Sequence, residues 1–195
     1  MSKVQNTLMQ GRRSEARERL LATASRLFYT EGIRAVGVDR VMAEAEVARG
    51  TFYRHFDGKD DLVRAYLEAS DQQVRAGLAA AKDAAASPAA FIETVARGLG
   101  EEMCSAGFRG CPFINAAAEY PERSSAVHQA VLAARDHFHE MLQEAFQQVG
   151  VTDPVRSAHA MAALRDGSMV AAYLGDPQTA GDTLVHGVAA LLADR

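Results

Sequence analysis

The chain has 195 residues, 48% of them apolar and 24% charged, with a net charge of −4, no Trp and two Cys. That supplies ample apolar material for a core and no disulfide framework, and the overall charge by itself disfavours nucleic acid. No apolar run is long enough to span a membrane and residues 1–12 lack the apolar core of a signal peptide, so a cytoplasmic location without a membrane partner is expected.

The average charge conceals an asymmetry. Residues 1–60 hold 11 Lys/Arg and 8 Asp/Glu, a net +3, while residues 61–195 hold 10 and 17, a net −7. Phosphate is bound by local positive surface, so nucleic-acid contact is expected at the N-terminal end of the chain and not at the other.

Residues 1–12 read as a mobile arm in which Lys3, like the nearby Arg12 and Arg13, either tracks phosphate or only aids solubility. Leu20, Leu21, Ala24, Leu27 and Phe28 then recur at i, i+1, i+4, i+7 and i+8, which predicts a helix over about 15–30 with one apolar stripe. Glu31-Gly32 ends it, because glycine accepts the left-handed backbone of a helix C-terminus. Val38, Val41, Met42 and Ala45 share one face of a second, short helix, and a third from about residue 48 sets Phe52 and Phe56 four apart, with Val47 filling the turn. Arg49, Thr51, Tyr53, Arg54 and His55 are left as an outward, hydrogen-bonding surface. Two helices this short are unstable alone and need the first helix behind them. A tight helical pair of this kind can hold its second helix in a major groove.

Beyond Asp57-Gly58, residues 59–83 read as one long helix with acidic residues in its first turn. Ser87-Pro88, Asp153-Pro154 and Asp176-Pro177 are helix starts, with a capping side chain followed by proline at the first position. Further helices are predicted near 114–119, 123–149, 154–174 and 177–193. Ala158, Met161, Ala162, Met169 and Ala172 on the penultimate helix, with Leu184, Val188 and Leu191 on the last, make small and apolar surfaces suited to a four-helix bundle between two subunits.

Three other groups of residues admit chemistry. Asn115 and Glu119 stand four apart on one face of a helix entered through Cys111-Pro112. Cys104 and Cys111 are seven apart, a spacing that does not establish a disulfide. His137, His139, Glu140 and Glu144 form no ligand cage of known spacing and read as a solvated helix face, as does His128. No convergent nucleophile, base or metal set appears, so no catalytic residue and no cofactor is expected. A helical metal-dependent enzyme and a helical interaction protein that does not bind DNA remain the alternatives.

Residues 15–66 resemble the N-terminal domain of the TetR/AcrR family of bacterial transcription regulators. The resemblance is carried by Ala24, Leu27, Phe28, Gly32, Val41, Ala45, Val47, Arg49-Gly50-Thr51-Phe52-Tyr53, His55-Phe56, Lys59 and Leu62. It implies an all-α chain: a three-helix helix-turn-helix head over 15–75, joined to a helical effector-binding and dimerisation body over 76–195. It further implies a homodimer formed through the last two helices, double-stranded operator DNA as partner, and repression relieved by a small-molecule effector, with helix 59–83 as the lever. DNA contacts then fall to Arg49, Thr51, Tyr53 and Arg54, with His55 and Lys59 toward phosphate and Gly50 permitting close approach. Gly-Cys at 110–111 followed by Asn115 and Glu119 resembles the start of a body helix that walls the effector site in relatives. Two departures stand out: Glu46 occupies a turn position where relatives carry glycine, and Ala48 replaces a capping serine or threonine. Gly37 likewise stands where a hydroxyl residue often caps the preceding helix.

Overall fold

The computed structural model describes the backbone of residues 3–194 and the side chains of residues 15–194. Among the described residues the secondary structure is helical, as expected: α1 (Lys3–Glu31), α2 (Val38–Glu44), α3 (Arg49–Phe52), α4 (Lys59–Ala84), α5 (Pro88–Met103), α6 (Pro112–Glu119), α7 (Ala126–Val149), α8 (Pro154–Leu174) and α9 (Pro177–Ala193). The backbone of α1 begins well before the expected residue 15, over the stretch expected to be a mobile arm. The phosphate role considered for Lys3, Arg12 and Arg13 concerns side chains outside those described.

Helix starts follow the local capping chemistry. Ser87 Oγ accepts from Ala90 N at 3.1 Å, Asp153 Oδ1 from Arg156 N at 3.0 Å, and the Asp176 carboxylate from Gln178 N and Thr179 N at 3.2 and 3.1 Å. Each is followed by proline, which has no amide hydrogen to orphan in the first turn.

The chain divides into two compact units, Met1–Ala69 with Asn115–Val131, and Ser70–Ile114 with Leu132–Arg195. In the first, α1, α2 and α3 pack pairwise. Leu20, Ala24, Leu27 and Phe28 of α1 are buried together with Val41 and Met42 of α2, Phe52 of α3, and Leu62, Val63 and Tyr66 of α4. Phe28 meets Tyr66 edge-on with centroids 5.8 Å apart, and Phe52 lies 5.7 Å from Phe56. The two short helices have too few internal hydrogen bonds to persist alone, and their buried Val41, Met42 and Phe52 hold them to the rest of this core.

In the second unit α5 packs on both α8 and α9, and α8 packs on α9. The α5–α9 crossing is set by glycine: a Cβ on Gly181 would stand 3.1 Å from the Gly100 Cα, and one on Gly100 would stand 3.5 Å from the Gly181 Cα. Backbone faces backbone there, so neither side has a flexible group to move aside. Ala158, Met161, Ala162, Met169 and Ala172 of α8, with Leu184 and Val188 of α9, are buried within this unit. The stripe expected to join two subunits therefore fills the protomer's own core, because the same spacing that suits a bundle between chains suits one within a chain. Gly181→Ala should lower stability by about 1–3 kcal/mol through overpacking, read as a fall in Tm by circular dichroism, whereas Gly77→Ala, with open space around it, should not.

Candidate nucleic-acid interface and body cavity

The turn between α2 and α3 is a helix terminus of the Schellman type. Val47 N donates to Met42 O at 3.0 Å and Glu46 N to Ala43 O at 3.2 Å, while Glu46 itself sits at φ +53°. The left-handed backbone at this position is the physical reason glycine suits it, and an exposed Glu46 bears the steric cost here. Neither short helix has a side-chain cap: Gly37 precedes α2 and Ala48 precedes α3 without an accepting oxygen.

From α3 the apolar side goes inward through Phe52, with Val47 and Phe56 buried on either side of it. The opposite side presents Arg49, Gly50, Tyr53 and Arg54 to solvent, with Thr51 and His55 half-buried at its edge. Tyr53 remains 51% exposed while its ring meets Phe52 edge-on at 5.0 Å, so it is held in place without being covered. Arg49 Nη2 donates to Asp39 Oδ1 at 2.9 Å, both side chains being largely exposed. Exposed pairs of this kind contribute only ~0.2–1 kcal/mol, so the guanidinium is readily exchanged onto a stronger acceptor. A Cβ added at Gly50 meets nothing within 4 Å, so no neighbour in the protein requires glycine there.

Arg40 does not share this outward role. It donates to both oxygens of Glu31 and to Glu44 Oε1 at 2.9 Å, and Glu44 also accepts from Arg26, which ties α2 to α1. Lys59 Nζ reaches the Arg34 carbonyl at 3.4 Å; burial lowers its pKa, while Glu119 and Asp60 pull it back up.

The second unit encloses a cavity of about 390 Å³ among α4, α5, α7, α8 and the start of α6. Its wall is mostly apolar, including Val74, Leu78, Val95, Leu99, Phe113, Phe138 and Met169. Asp71, Glu102, Arg135, His137, His139, Arg165 and Asp166 supply the polar and charged groups. A volume in the range of ~300–1,000 Å³ with few polar groups is the usual form of a small-molecule site.

Residues 20–66 match the family model of the bacterial regulatory proteins of the tetR family. The crystal structure of SCO4454, a TetR-family transcriptional regulator from Streptomyces coelicolor, is 48% identical and matches with a TM-score of 0.89, covering 93% of this chain and 96% of that one. The chain belongs to the TetR family. The HTH-type transcriptional regulator LmrA of Bacillus subtilis (strain 168) is 26% identical over 141 residues, 71% of this chain and 75% of LmrA. The reduced form of NemR from E. coli shares the fold alone, at 21% identity with a TM-score of 0.82 over 92% of this chain and 98% of NemR. This TetR-family protein is a DNA-binding transcriptional regulator with a helix-turn-helix in its first unit and a helical bundle in its second.

Two residues assigned to the effector wall by resemblance stand elsewhere in this TetR-family structure. Asn115 and Glu119 are not among the residues lining the cavity; both fall in the first unit. Glu119 accepts from Ile33 N at 2.9 Å through Oε1 and from Arg34 N at 2.6 Å through Oε2, clamping the turn that leads into α2. Next to it Tyr120 donates its hydroxyl to Asp60 Oδ1 at 2.9 Å, in the first turn of α4. Gly32, at φ +94°, closes α1 beside the same carboxylate. Nothing local in the sequence announces this clamp, since its partners lie 85 and 86 positions away.

The histidines were also displaced from expectation. His137 and His139 line the cavity of the TetR-family body, and the His139 ring lies 4.7 Å from that of His159. Burial first, then the neighbouring His159, lowers the pKa of His139. Glu140 and Glu144 stay on the solvated side as expected, Glu144 pairing with Lys82 at 3.2 Å, and no group of three or more His, Cys, Asp or Glu suited to a metal ion occurs among the described residues. Cys104 and Cys111 are both free thiols with separate partners, Gln178 and Arg165. Arg165 was missed from sequence although it carried a signal: it follows Met161 by four and precedes Met169 by four, a charged residue on an otherwise buried stripe.

Glu46→Gly should raise the stability of the head by up to about 1 kcal/mol by relieving the left-handed backbone, measured as a higher midpoint in chemical denaturation. Glu119→Ala should cost about 1–3 kcal/mol by leaving two turn amides without their acceptor. Hydrogen exchange followed by NMR should then show faster exchange specifically at the Ile33 and Arg34 amides.

Proposed function

We propose that this protein is a homodimeric repressor that binds operator DNA through α3 and releases it when a small molecule occupies the body cavity. The observation that carries the reading is the outward face of α3, where Arg49, Tyr53 and Arg54 are exposed and Gly50 has open space in place of a packing partner. Arg49 exchanges Asp39 for a guanine edge or a phosphate, Tyr53 and Thr51 reach the sugar-phosphate edge or a thymine methyl, and Lys59 and His55 lie toward phosphate. Glycine at position 50 lets the DNA backbone come close.

Two heads are needed to read a two-fold operator, and α8–α9 offers the surface for pairing them. Its exposed side carries Ala163, Gly167 and Ala171 on α8, with half-buried Ala160 and Leu164 beside them and Thr183 and Gly187 facing the same grooves from α9. Val170 and Leu174 add exposed apolar area, Leu174 at 77%. Small residues at this spacing let a second copy of the helix pair approach closely. The cytoplasmic location follows from the operator as partner, and no helix among the described residues is long and apolar enough to cross a membrane.

Coupling is reciprocal: an effector lowers operator affinity only by as much as it prefers the DNA-free arrangement of the heads. Two helices supply covalent routes for it. One is α4, with Lys59 at the head and Val74 and Leu78 at the cavity; the other is α6, with Phe113 at the cavity and Glu119 at the turn before α2.

Electrophoretic mobility shifts with DNA upstream of the protein's own gene test the reading, using full-length protein at fixed salt. Arg49→Ala should flatten the preference for operator over random DNA, and Lys59→Ala should weaken both alike and reduce the salt slope by about one. Gly50→Ala should weaken binding without lowering Tm, and Ala163→Glu should yield monomers in sedimentation with a matching loss of operator affinity. Unchanged DNA binding in Arg49→Ala and Gly50→Ala together would sink the assignment.

A further inference from the structure

At the charged end of the body cavity two guanidiniums converge on one carboxylate. Asp166 is shared by two arginines, accepting from Arg135 Nη2 through Oδ2 and from Arg165 Nη1 through Oδ1, each at 2.7 Å. Asp71, the cavity carboxylate on α4, is already engaged by Arg75 at 2.7 Å on the next turn of that helix. Arg165 is the more enclosed cation, its side chain only 14% exposed. One face of it lies over Phe138, 5.3 Å from the ring centroid, its Nη2 donates to the weak acceptor Cys111 Sγ at 3.3 Å, and its Nε has no acceptor. Five donors on a charged, nearly dry guanidinium are thus met by half a carboxylate and a thiol, well short of what such a group requires.

Glu102 also lines the cavity and forms no ion pair within 4.0 Å among the described residues. Burial raises its carboxyl pKa, with Arg165 acting in the opposite direction, and its carboxylate accepts a hydrogen bond from neither Arg135 nor Arg165. Apart from Thr94, His137 and His139, the remaining wall is apolar and includes two phenylalanines, Phe113 and Phe138.

The geometry points to an organic acid as the effector class: a planar apolar body that fills the cavity between Phe113 and Phe138, with one carboxylate completing the partners of Arg135 and Arg165. This rests on the cavity being the effector site. The carboxylate supplies the charge-assisted acceptor that the shared Asp166 leaves wanting, and the apolar body displaces water from the rest of the wall. An amine brings further donors and no acceptor to the unmet guanidinium N–H groups of Arg165, and a neutral amide offers them an acceptor without charge.

The test uses matched sets on two ring bodies: 2-naphthoate and biphenyl-4-carboxylate, each with its primary amide and its aminomethyl counterpart. Binding to the full-length protein is measured by isothermal titration calorimetry. At least one carboxylate should bind about ten- to a hundred-fold more tightly than its amide and its amine. Arg135→Gln should weaken that carboxylate at least threefold, Arg165→Gln more, and Glu102→Gln should leave it unchanged or tighter. Arg135 is the more exposed of the two arginines and is the variant to rely on should Arg165→Gln fail to fold. The inference is overturned if neither carboxylate outbinds its amide and amine, if an amine binds best and Glu102→Gln abolishes it, or if Arg135→Gln leaves carboxylate binding untouched. Mobility shifts on the same samples separate the two readings. A carboxylate that binds without releasing operator keeps the acid preference and removes the effector role; release by the amide or amine alone keeps the effector role and removes the acid preference.

Discussion

A four-residue helix cannot hold itself together, and the helix-turn-helix of this protein contains one. Nucleating a helix costs more than α3 can recover through its own hydrogen bonds, so its geometry is imposed from behind and from both ends. Phe52 and Phe56 fasten it to the aromatic core, and the Schellman turn through Glu46 sets where it departs from α2. The turn before α2 is fixed from much further along the chain by Glu119. The exposed residues of α3 are consequently free of structural duty, which is the condition for a surface that can be given over to another molecule.

The same constraint gives Glu119 more consequence than a ligand-wall residue would have. Its carboxylate closes backbone amides at the entrance to α2, and the helix that carries it begins with residues of the body cavity. Phe113 and Glu119 thus stand on one helix, and two hydrogen bonds join the second of them to the segment before α2. Polar groups mark both places: Glu119 at the turn before α2, and Arg135, Arg165 and Asp166 at the cavity wall.

Legibility in the sequence was uneven, and the unevenness has a pattern. Ser87-Pro88, Asp153-Pro154 and Asp176-Pro177 marked helix starts correctly because a cap and its amide lie within three residues of each other. Val41, Met42, Ala45, Val47, Phe52 and Phe56 were readable as the buried side of the helix-turn-helix because periodicity alone divides a helix into two faces. The α8 stripe shows where that logic stops. Periodicity identified Met161, Ala162 and Met169 as a face to be covered, but the covering surface was the protomer's own bundle, not a second subunit. His137 and His139 failed for the same reason in reverse: polar residues on a long helix read as solvated, and they line a cavity.

The sequence by itself determined the helical elements, most of their ends, and which residues of α2 and α3 face inward, since each of these depends on residues within a few positions along the chain. At Glu46 it offered only the departure from the family's glycine, and the left-handed backbone that explains it is a structural finding. Only the tertiary structure decided what Glu119 binds, which arginines share Asp166, and which side of α8 is left exposed. Glu119 meets its partners 85 and 86 positions away and Arg135 meets Asp166 31 positions away, and a side chain's partner at such separations is set by how helices pack, which no local spacing records.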